Sequence, residues 1–429
     1  MFSCNLLHTD CLFVYPHSFL FLIMLKRFLP LFISVFIAAL GCFAQKKDIS
    51  SAKDMVKNNR DLPKAEMMMR TLLNDSNNRE NTKIWDVLFD AVKKQYDNGN
   101  EQLYLKNKYD TTQLFVNARK MFEVYAAFDS IDARPNSHGQ SRPKYRKKHA
   151  AFLLNYRKNL YTGGLFFVKK QAYADAYTMF DTYLECLSCP LFSESGLSVE
   201  KDANAHNAAY MSLFCGYKLN SYDKTMRYLG LALQDTANLN NKYQYLAETY
   251  RSVKDTALYV KTLEQGFGKF PTSMYYFPRL FDHYFNLHGN LSQAMNLCDQ
   301  ALKADSTNTV FLLAKSSLLL ESQAYDACID MCDKLIARND SLADAYLNAG
   351  LAFYNQAIKY DANILEARKN RSKQRQLYKR AMPYLQQFRK LRPEEQAKWG
   401  LPLYTIYFNL NMGKEFDEIE KIIKKKNGQ

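Results

Sequence analysis

A chain of 429 residues can bury a large core, and its low glycine and proline content (15 and 11), with no sustained strand-like alternation, argues against a string of β-rich domains. Lys and Arg outnumber Asp and Glu by 58 to 43, a formal charge of +15 that points to anionic surfaces or partners rather than to a fold. Thirty Tyr and 28 Phe stand against two Trp, as expected where aromatic rings fill the spaces between packed helices.

In chain order, residues 1–44 read as a leader. Residues 1–23 are apolar without a positive start, whereas Met24 opens Lys26-Arg27, an apolar run over 28–40 and a small-residue site ending at Ala44. That order of charge, apolar core and cleavage site is a secretory signal peptide, with Met24 as the expected true start. The apolar run is shorter than the roughly 20 residues of a membrane span. Cleavage after Ala44 leaves Gln45 first. Lipidation of Cys42 would want Leu three residues before it and a small residue two before, but Ala39 and Leu40 stand in the opposite order. An exported, periplasmic protein is expected, with outer-membrane association through a lipidated Cys42 as the other outcome. Its anionic partners would be glycans, lipid head groups or acidic proteins, and nucleic acid is not the expected partner.

Residues 45–128 form a divergent helical N-terminal block with three apolar stripes. These are Ala65, Met68, Met69 and Leu72, then Ile84, Trp85, Leu88 and Val92, then Phe115, Ala118, Phe122 and Tyr125. Leu62-Pro63 marks a helix start. Residues 129–148 read as a basic loop or linker, with turn chemistry from Arg134 to Gly139 and a cationic run of Arg142, Lys144, Arg146, Lys147 and Lys148.

A repeat array fills 149–429. Its clearest part, residues 275–342, is two copies of one unit. Phe281, Phe285, Ala294, Cys298 and Ala301 recur 34 residues later as Lys315, Leu319, Cys328, Cys332 and Leu335. Within each copy two helical faces flank a short polar break, His288-Gly289-Asn290 and Glu321-Ser322-Gln323, so each copy is a helical hairpin that needs a neighbour to cover it.

The chemical signatures are few. No phosphate-cradling glycine loop, zinc-protease helix or nucleophile elbow occurs, so no enzyme activity and no cofactor are expected. His283 and His288 are five apart, which splays them round an α-helix and argues against a metal site. Cys186-Leu187-Ser188-Cys189 could form a local disulfide in an exported protein or remain as inert thiols. Zinc would need a second such pair.

The repeats resemble the tetratricopeptide repeat (TPR) family. That pattern wants a large residue at repeat position 4, Gly or Ala at 8, an aromatic at 11, Ala at 20 and often Pro at 32. Residues 157–190 supply Leu160, Gly164, Phe167, Tyr173, Ala176 and Phe180 in phase, with Tyr183 where a small residue is expected. The unit from Ala343 supplies Tyr346, Gly350 and Phe353, and its second helix comes late, as Ala381, Leu385 and Pro393. An expanded repeat at 343–395 thus carries ~19 extra residues, with both helices lengthened into a projecting basic knob. The knob residues are Arg368, Lys369, Arg371, Lys373, Arg375, Lys379 and Arg380. Gly164 and Gly350 mark close approach of paired helices.

The resemblance implies an all-α fold, a right-handed superhelical array of antiparallel helix hairpins (a TPR-like α-solenoid), and a concave groove lined by first helices. It places groove positions at Asn241, Gln244, Glu248 and Arg251, at Tyr276, Arg279, His283 and Asn286, and at Asp344 and Tyr354. It implies a non-enzymatic scaffold of the bacterial cell envelope that binds a protein or peptide partner, with an acidic one favoured by the charge. The family's clamp for acidic C-termini is not reproduced, because Tyr161 and Leu165 stand where its Lys and Asn would be. The alternative is a glycan-binding outer-membrane lipoprotein containing TPR units. It would use aromatic platforms in long loops, yet Trp85 and Trp399 both lie on helical stripes.

Overall fold

The computed structural model describes residues 45–136, 138–362 and 364–427, with side chains other than those of 361–368 and 425–427. The leader, including Met24 and Cys42, and the Arg368 side chain lie outside the described residues. The described residues are helical throughout, with turns and loops between helices and no strand among them. Clustering of contacts gives two compact units, one up to Asp235 and one from Thr236 onward. No described helix is long and apolar enough to cross a membrane.

The described part of the first unit holds a helix over residues 45–57 (α1), followed by Leu62–Asn74 (α2), Thr82–Tyr104 (α3), Thr111–Asp132 (α4), Arg146–Lys169 (α5), Tyr173–Glu185 (α6) and Ala205–Lys218 (α7). The partner of α7 is broken into Tyr222–Met226 (α8) and Leu229–Gln234 (α9). From α2 to α7 each helix packs on the next in sequence. The three stripes read from the sequence face inward, for Ala65, Met69, Ile84, Trp85, Leu88, Val92, Phe115, Ala118 and Phe122 are all buried. The loop between α4 and α5 spans only 133–145, because α4 runs on to Asp132 and a bidentate Arg146–Asp129 pair (2.9 Å to each oxygen) fixes the start of α5.

The second unit holds Leu239–Ser252 (α10), Thr256–Lys269 (α11), Tyr276–Phe281 (α12), Leu291–Ala304 (α13), Thr309–Glu321 (α14), Tyr325–Arg338 (α15), Ala343–Ile358 (α16), Ile364–Leu391 (α17), Gln396–Leu410 (α18) and Gly413–Asn427 (α19). Here too each helix packs on its sequence neighbours, and α16 also touches α14 and α18, so first helices of successive hairpins meet. Side-chain caps start several of these helices. Asp255 accepts from the Leu258 amide (3.0 Å), Asn290 from Gln293 (3.0 Å) and Asn308 from Val310 (3.1 Å), each typically worth ~1 kcal/mol.

A left-handed residue times the hairpins. Gln171, Asn220, Lys254, Gly289, Gln323 and Asn411 all adopt φ between 50° and 62°, each just past a first helix. From Asn220 to Gln323 they fall at intervals of 34, 35 and 34 residues. A left-handed residue ends a helix by turning the chain back over its last carbonyls. In the expanded repeat no described residue after α16 adopts this conformation. After α16 the chain continues through Lys359 at φ −57° into a 3-10 turn over Lys359–Ala362. The expansion falls mostly on the second helix, with the 3-10 turn before it, contrary to the expectation of two lengthened helices. α17 has 28 residues where α11, α13 and α15 have 14 each, about 21 Å of added length. Buried Gln374, Tyr378, Ala381, Leu385 and Phe388 recur at steps of four and three, so one stripe of α17 packs for much of its length.

Close packing within hairpins depends on small residues. A Cβ on Gly164 would come within 2.5 Å of the Phe180 ring, and one on Gly350 within 2.7 Å of Leu385 Cγ. One buried ion cluster has a different task, to hold the irregular segment 186–204 that follows α6. Arg157 Nη1 lies 2.7 Å from Asp202 Oδ2, and its Nε and Nη2 donate to the Tyr183 carbonyl (3.3 and 2.9 Å). Tyr183 donates its hydroxyl to Asp202 Oδ1 (2.6 Å), and the guanidinium lies 3.7 Å over the Tyr183 ring. Burial alone would raise the Asp202 carboxyl, but the bonds from Tyr183 and Arg157 outweigh it and hold the group below its ordinary value.

Gly350→Leu is expected to destabilise the protein by about 1–3 kcal/mol through overpacking. Gly230→Ala, where an added Cβ meets nothing within 4 Å, should instead be neutral or stabilising by up to ~1 kcal/mol. Thermal melts of the two variants decide this, and equal melting temperatures would mean that the hairpin register is misread. Asp202→Asn leaves a buried guanidinium without its counter-charge and should cost about 3–5 kcal/mol. Because the folded carboxyl titrates below its unfolded value, its contribution is complete above about pH 4 and disappears as pH falls through the folded value. Urea midpoints across pH should show the wild-type advantage shrinking below that range.

Candidate functional site

The expected groove positions fall on α10, on α12 and its continuation, and on α16. α12 continues as a π-helix over Asp282–Leu287. The structure gathers four charged and aromatic groups on α10 and at α12. Glu248, whose side chain is only 15% exposed, receives the Tyr275 hydroxyl at 2.6 Å and Arg251 Nη2 at 2.5 Å, with Arg279 Nη2 at 3.7 Å. The Arg279 guanidinium stacks 3.9 Å over the Tyr275 ring and donates to the Tyr275 carbonyl at 2.8 Å. Burial, and then donation to Glu248, push the Tyr275 hydroxyl far above its ordinary range. Arg251 is raised by the Glu248 charge and its hydrogen bond. A shielded carboxylate thus holds two exposed guanidiniums in place, with side chains 65% and 38% exposed. Such an arrangement can offer planar donor pairs to carboxylates or backbone carbonyls.

Tyr276 does not line the groove as its repeat position predicts: it is fully buried, with its hydroxyl bonded to Asn240 Oδ1 at 2.7 Å and its ring packed on Gly266. Tyr275, one residue earlier, takes the surface position. Adjacent tyrosines have equal propensity, and only packing against α11 tells them apart. Gln244 donates to Asn240 Oδ1 (3.2 Å) on its own helix, and Asn286 donates to Asp282 Oδ1 (2.8 Å). Asn241 and Asp344 are exposed, and Tyr354 reaches Thr405 Oγ1 at 3.5 Å, so the α16 positions stand apart from the Glu248 cluster.

His283 and His288 are also not as expected. The wider turn of the π-helix brings residues five apart onto one side, and their ring centroids lie 4.5 Å apart. Burial, and then His288, lower the His283 pKa. No group of three or more His, Cys, Asp or Glu able to hold a metal occurs among the described residues.

The basic segment divides in two. Arg375 is half-buried with Nη2 3.4 Å from the Leu410 carbonyl at the end of α18, and the Arg380 guanidinium lies 4.2 Å over the Phe353 ring. Lys373 is exposed, with Nζ 5.6 Å over the Tyr360 ring. Lys369, Arg371 and Lys379 are exposed on α17. Arg375 therefore ties α17 to α18 and Arg380 packs against α16, and Lys369, Arg371, Lys373 and Lys379 form the solvent face.

Cys186 and Cys189 are free thiols in this structure. Cys186 is buried at the end of α6 and donates to the Thr182 carbonyl (3.2 Å), and burial pushes its thiol up to about 12. Cys189 is half-buried and also raised, first by burial. Both line a 520 Å³ cleft with Phe122, Asp181 and Glu185.

Sequence reasoning missed the buried network around Glu66. Arg70 lies one helical turn from it and could have been paired by spacing, but Lys120 comes from another helix and carries no local signal.

No family model matches the chain, and no curated protein matches it either. Among solved structures it is similar to the C-terminal part of a TPR repeat-containing protein from Cytophaga hutchinsonii (15% identity, TM-score 0.39, covering 61% of this chain and 93% of that one). It is also similar to a TPR repeats protein from Bacteroides fragilis (18%, 0.31, 62% and 98%) and to the P58(IPK) TPR domain (10%, 0.25, 90% and 99%).

Alkylation of the reduced, folded protein at mildly alkaline pH should modify Cys189 well before Cys186, since a thiol pushed to about 12 carries almost no thiolate there. Peptide mass mapping reads the order. Protection of both in the unreduced protein, released by a reductant, would show the local disulfide instead.

Proposed function

We propose that the chain is a non-enzymatic protein-interaction scaffold of the bacterial cell envelope that receives a protein or peptide partner on the surface of α10 and α12. The observation that carries this reading is the pair of exposed guanidiniums, Arg251 and Arg279, ordered by Glu248 and Tyr275. Ordering them in the unbound protein lowers the entropy that binding must spend, which favours recognition over mere solvation. The guanidiniums fit an acidic or carbonyl-rich segment, and Lys369, Arg371 and Lys379 on α17 supply a second cationic face that strengthens attraction at long range. The leader reading places the protein in the periplasm, with the outer membrane as its station if Cys42 is lipidated.

Proximity labelling in the source organism identifies the partner, and titration of that partner at two ionic strengths tests the surface. Arg279→Glu with Arg251→Glu should weaken binding about tenfold or more, as loss of charge-assisted hydrogen bonds does. Arg371→Glu with Lys379→Glu should mainly flatten the salt dependence, because exposed charges are screened over about 8 Å in physiological salt. Arg375 is unsuitable for reversal because it also caps α18. Unchanged affinity in the α10–α12 variant would remove this surface from the function. Retention on glycan columns without protein partners would favour the lipoprotein alternative. Intact mass of the native protein should give Gln45 or a lipidated Cys42 as the first residue, and an uncleaved cytoplasmic product would overturn the envelope assignment.

A further inference from the structure

His283 and His288 stand at the end of the first helix of their hairpin, and the backbone fixes their setting. In an α-helix five residues advance about 140° beyond a full turn, which sends two rings at that spacing apart. The π-helix over Asp282–Leu287 replaces that advance with a wider turn. Three backbone bonds then lock the turn that carries His288. The His288 amide donates to the Phe285 carbonyl, as does that of Gly289 (3.0 Å), and the Asn290 amide donates to the Tyr284 carbonyl (2.7 Å). The two ring centroids stand 4.5 Å apart with their planes at 68°.

A metal–nitrogen bond of ~2.1 Å and about 1.1 Å from nitrogen to ring centre put an imidazole centroid ~3.2 Å from an ion it binds. Two rings on one ion are then ~4.5 Å apart at a right angle and ~5.2 Å apart at a tetrahedral angle. The observed separation matches the right angle. Rotation about χ2 turns an imidazole about an axis through its own centre, so the nitrogens swing onto a shared ion while the ring centres stay in place. Neither ring is held by a hydrogen bond to the chain among the described residues. His288 is exposed and His283 half-buried, so both are reached from solvent.

The local charge suits a cation. Outside the pair, the charges that act on His283 are two carboxylates, Glu264 and Asp282. Glu264 accepts from the Tyr284 hydroxyl (2.5 Å) and Asp282 from Asn286 Nδ2 (2.8 Å), so neutral donors orient both. Burial, and then His288, hold the His283 pKa below its ordinary value. The ring is therefore neutral at pH 7, the form that ligates a metal.

We propose that His283 and His288 form a binding site for a divalent transition-metal ion of the Ni(II) or Cu(II) type. The two imidazoles take adjacent positions at a right angle, and water fills the others. Tetrahedral Zn(II) would set the rings further apart, and Mg(II) or Ca(II) prefers oxygen ligands. A bound ion ties the π-helix to the turn that precedes α13. The site does not rest on the function proposed for Arg251 and Arg279, since it needs no protein partner.

The test is calorimetric titration of the mature protein with nickel chloride near neutral pH. Binding should be saturable, with one ion per chain and no comparable binding of magnesium. His283→Gln and His288→Gln should each weaken Ni(II) at least tenfold, since loss of even an outer-shell partner of a ligand costs about 10–100-fold. Both variants should keep the wild-type melting temperature in metal-free buffer, because neither ring is bonded to the chain, and this separates lost ligation from lost folding. His206→Gln, in the other compact unit, should leave Ni(II) affinity unchanged. Electron paramagnetic resonance with one equivalent of Cu(II) should show coupling to two nitrogens in the wild type and to one fewer in each variant of the pair. No saturable Ni(II) binding, wild-type affinity or nitrogen coupling in either variant of the pair, comparable binding of magnesium, or loss of binding in His206→Gln would each overturn the proposal.

Discussion

Two antiparallel helices of about 14 residues cannot cover their own apolar faces, and each hairpin of this chain depends on the next to do so. The second unit shows the consequence. Ala294, Leu297, Cys298 and Ala301 on α13 are buried, as are Cys328, Cys332 and Leu335 on α15. Small residues dominate these positions because helices pack face to face at distances that larger side chains would prevent. Cysteine serves here as a small apolar group, and Cys298 is pushed up to about 12 by burial. The same demand explains Gly164 and Gly350, where the facing Phe180 and Leu385 occupy the space a side chain would need.

Close packing leaves little room for polar groups, so those that are buried come in satisfied sets. Asn348 on α16 donates to Ser316 (2.9 Å) and Ser317 (3.0 Å) on α14, a cross-link between first helices of adjacent hairpins. Arg157, Tyr183 and Asp202 form a closed set around the irregular stretch after α6. Such sets hold specific elements together more than they add net stability, because desolvating the charges offsets much of the attraction. Asn117 Nδ2 and Ser212 Oγ are exceptions, buried without a hydrogen-bond partner among the described residues.

The excess of basic residues is distributed unevenly in its physical role. Arg146, Arg157 and Arg375 are spent inside the fold, as a loop anchor, a buried counter-ion and a helix cap. Arg251, Arg279, Lys369 and Arg371 stand at the surface. Net charge alone overstates the cationic surface, since cations buried or half-buried in the fold are not presented to solvent.

The sequence by itself determined the features that depend on local physics. Apolar periodicity, small residues at fixed phase and polar breaks specify helical hairpins. Gly289 and Asn290 show in one stretch how a turn and the next cap are written into the chain, with φ +60° at the glycine and the asparagine bonded to the Gln293 amide. Only the tertiary structure decided the features that depend on contacts between distant residues. Tyr275 and Tyr276 are locally equivalent, and packing against Gly266 buries one and leaves the other on Glu248. The sequence shows His288 five positions after His283, but the backbone takes the wider turn that brings their rings together. It shows Glu66 and Lys120 as separate charges, and the packing of α2, α3 and α4 makes them an ion pair. Helical pattern is encoded over one or two turns, whereas the partner of a buried charge is set by which helices meet, and that is a property of the whole fold.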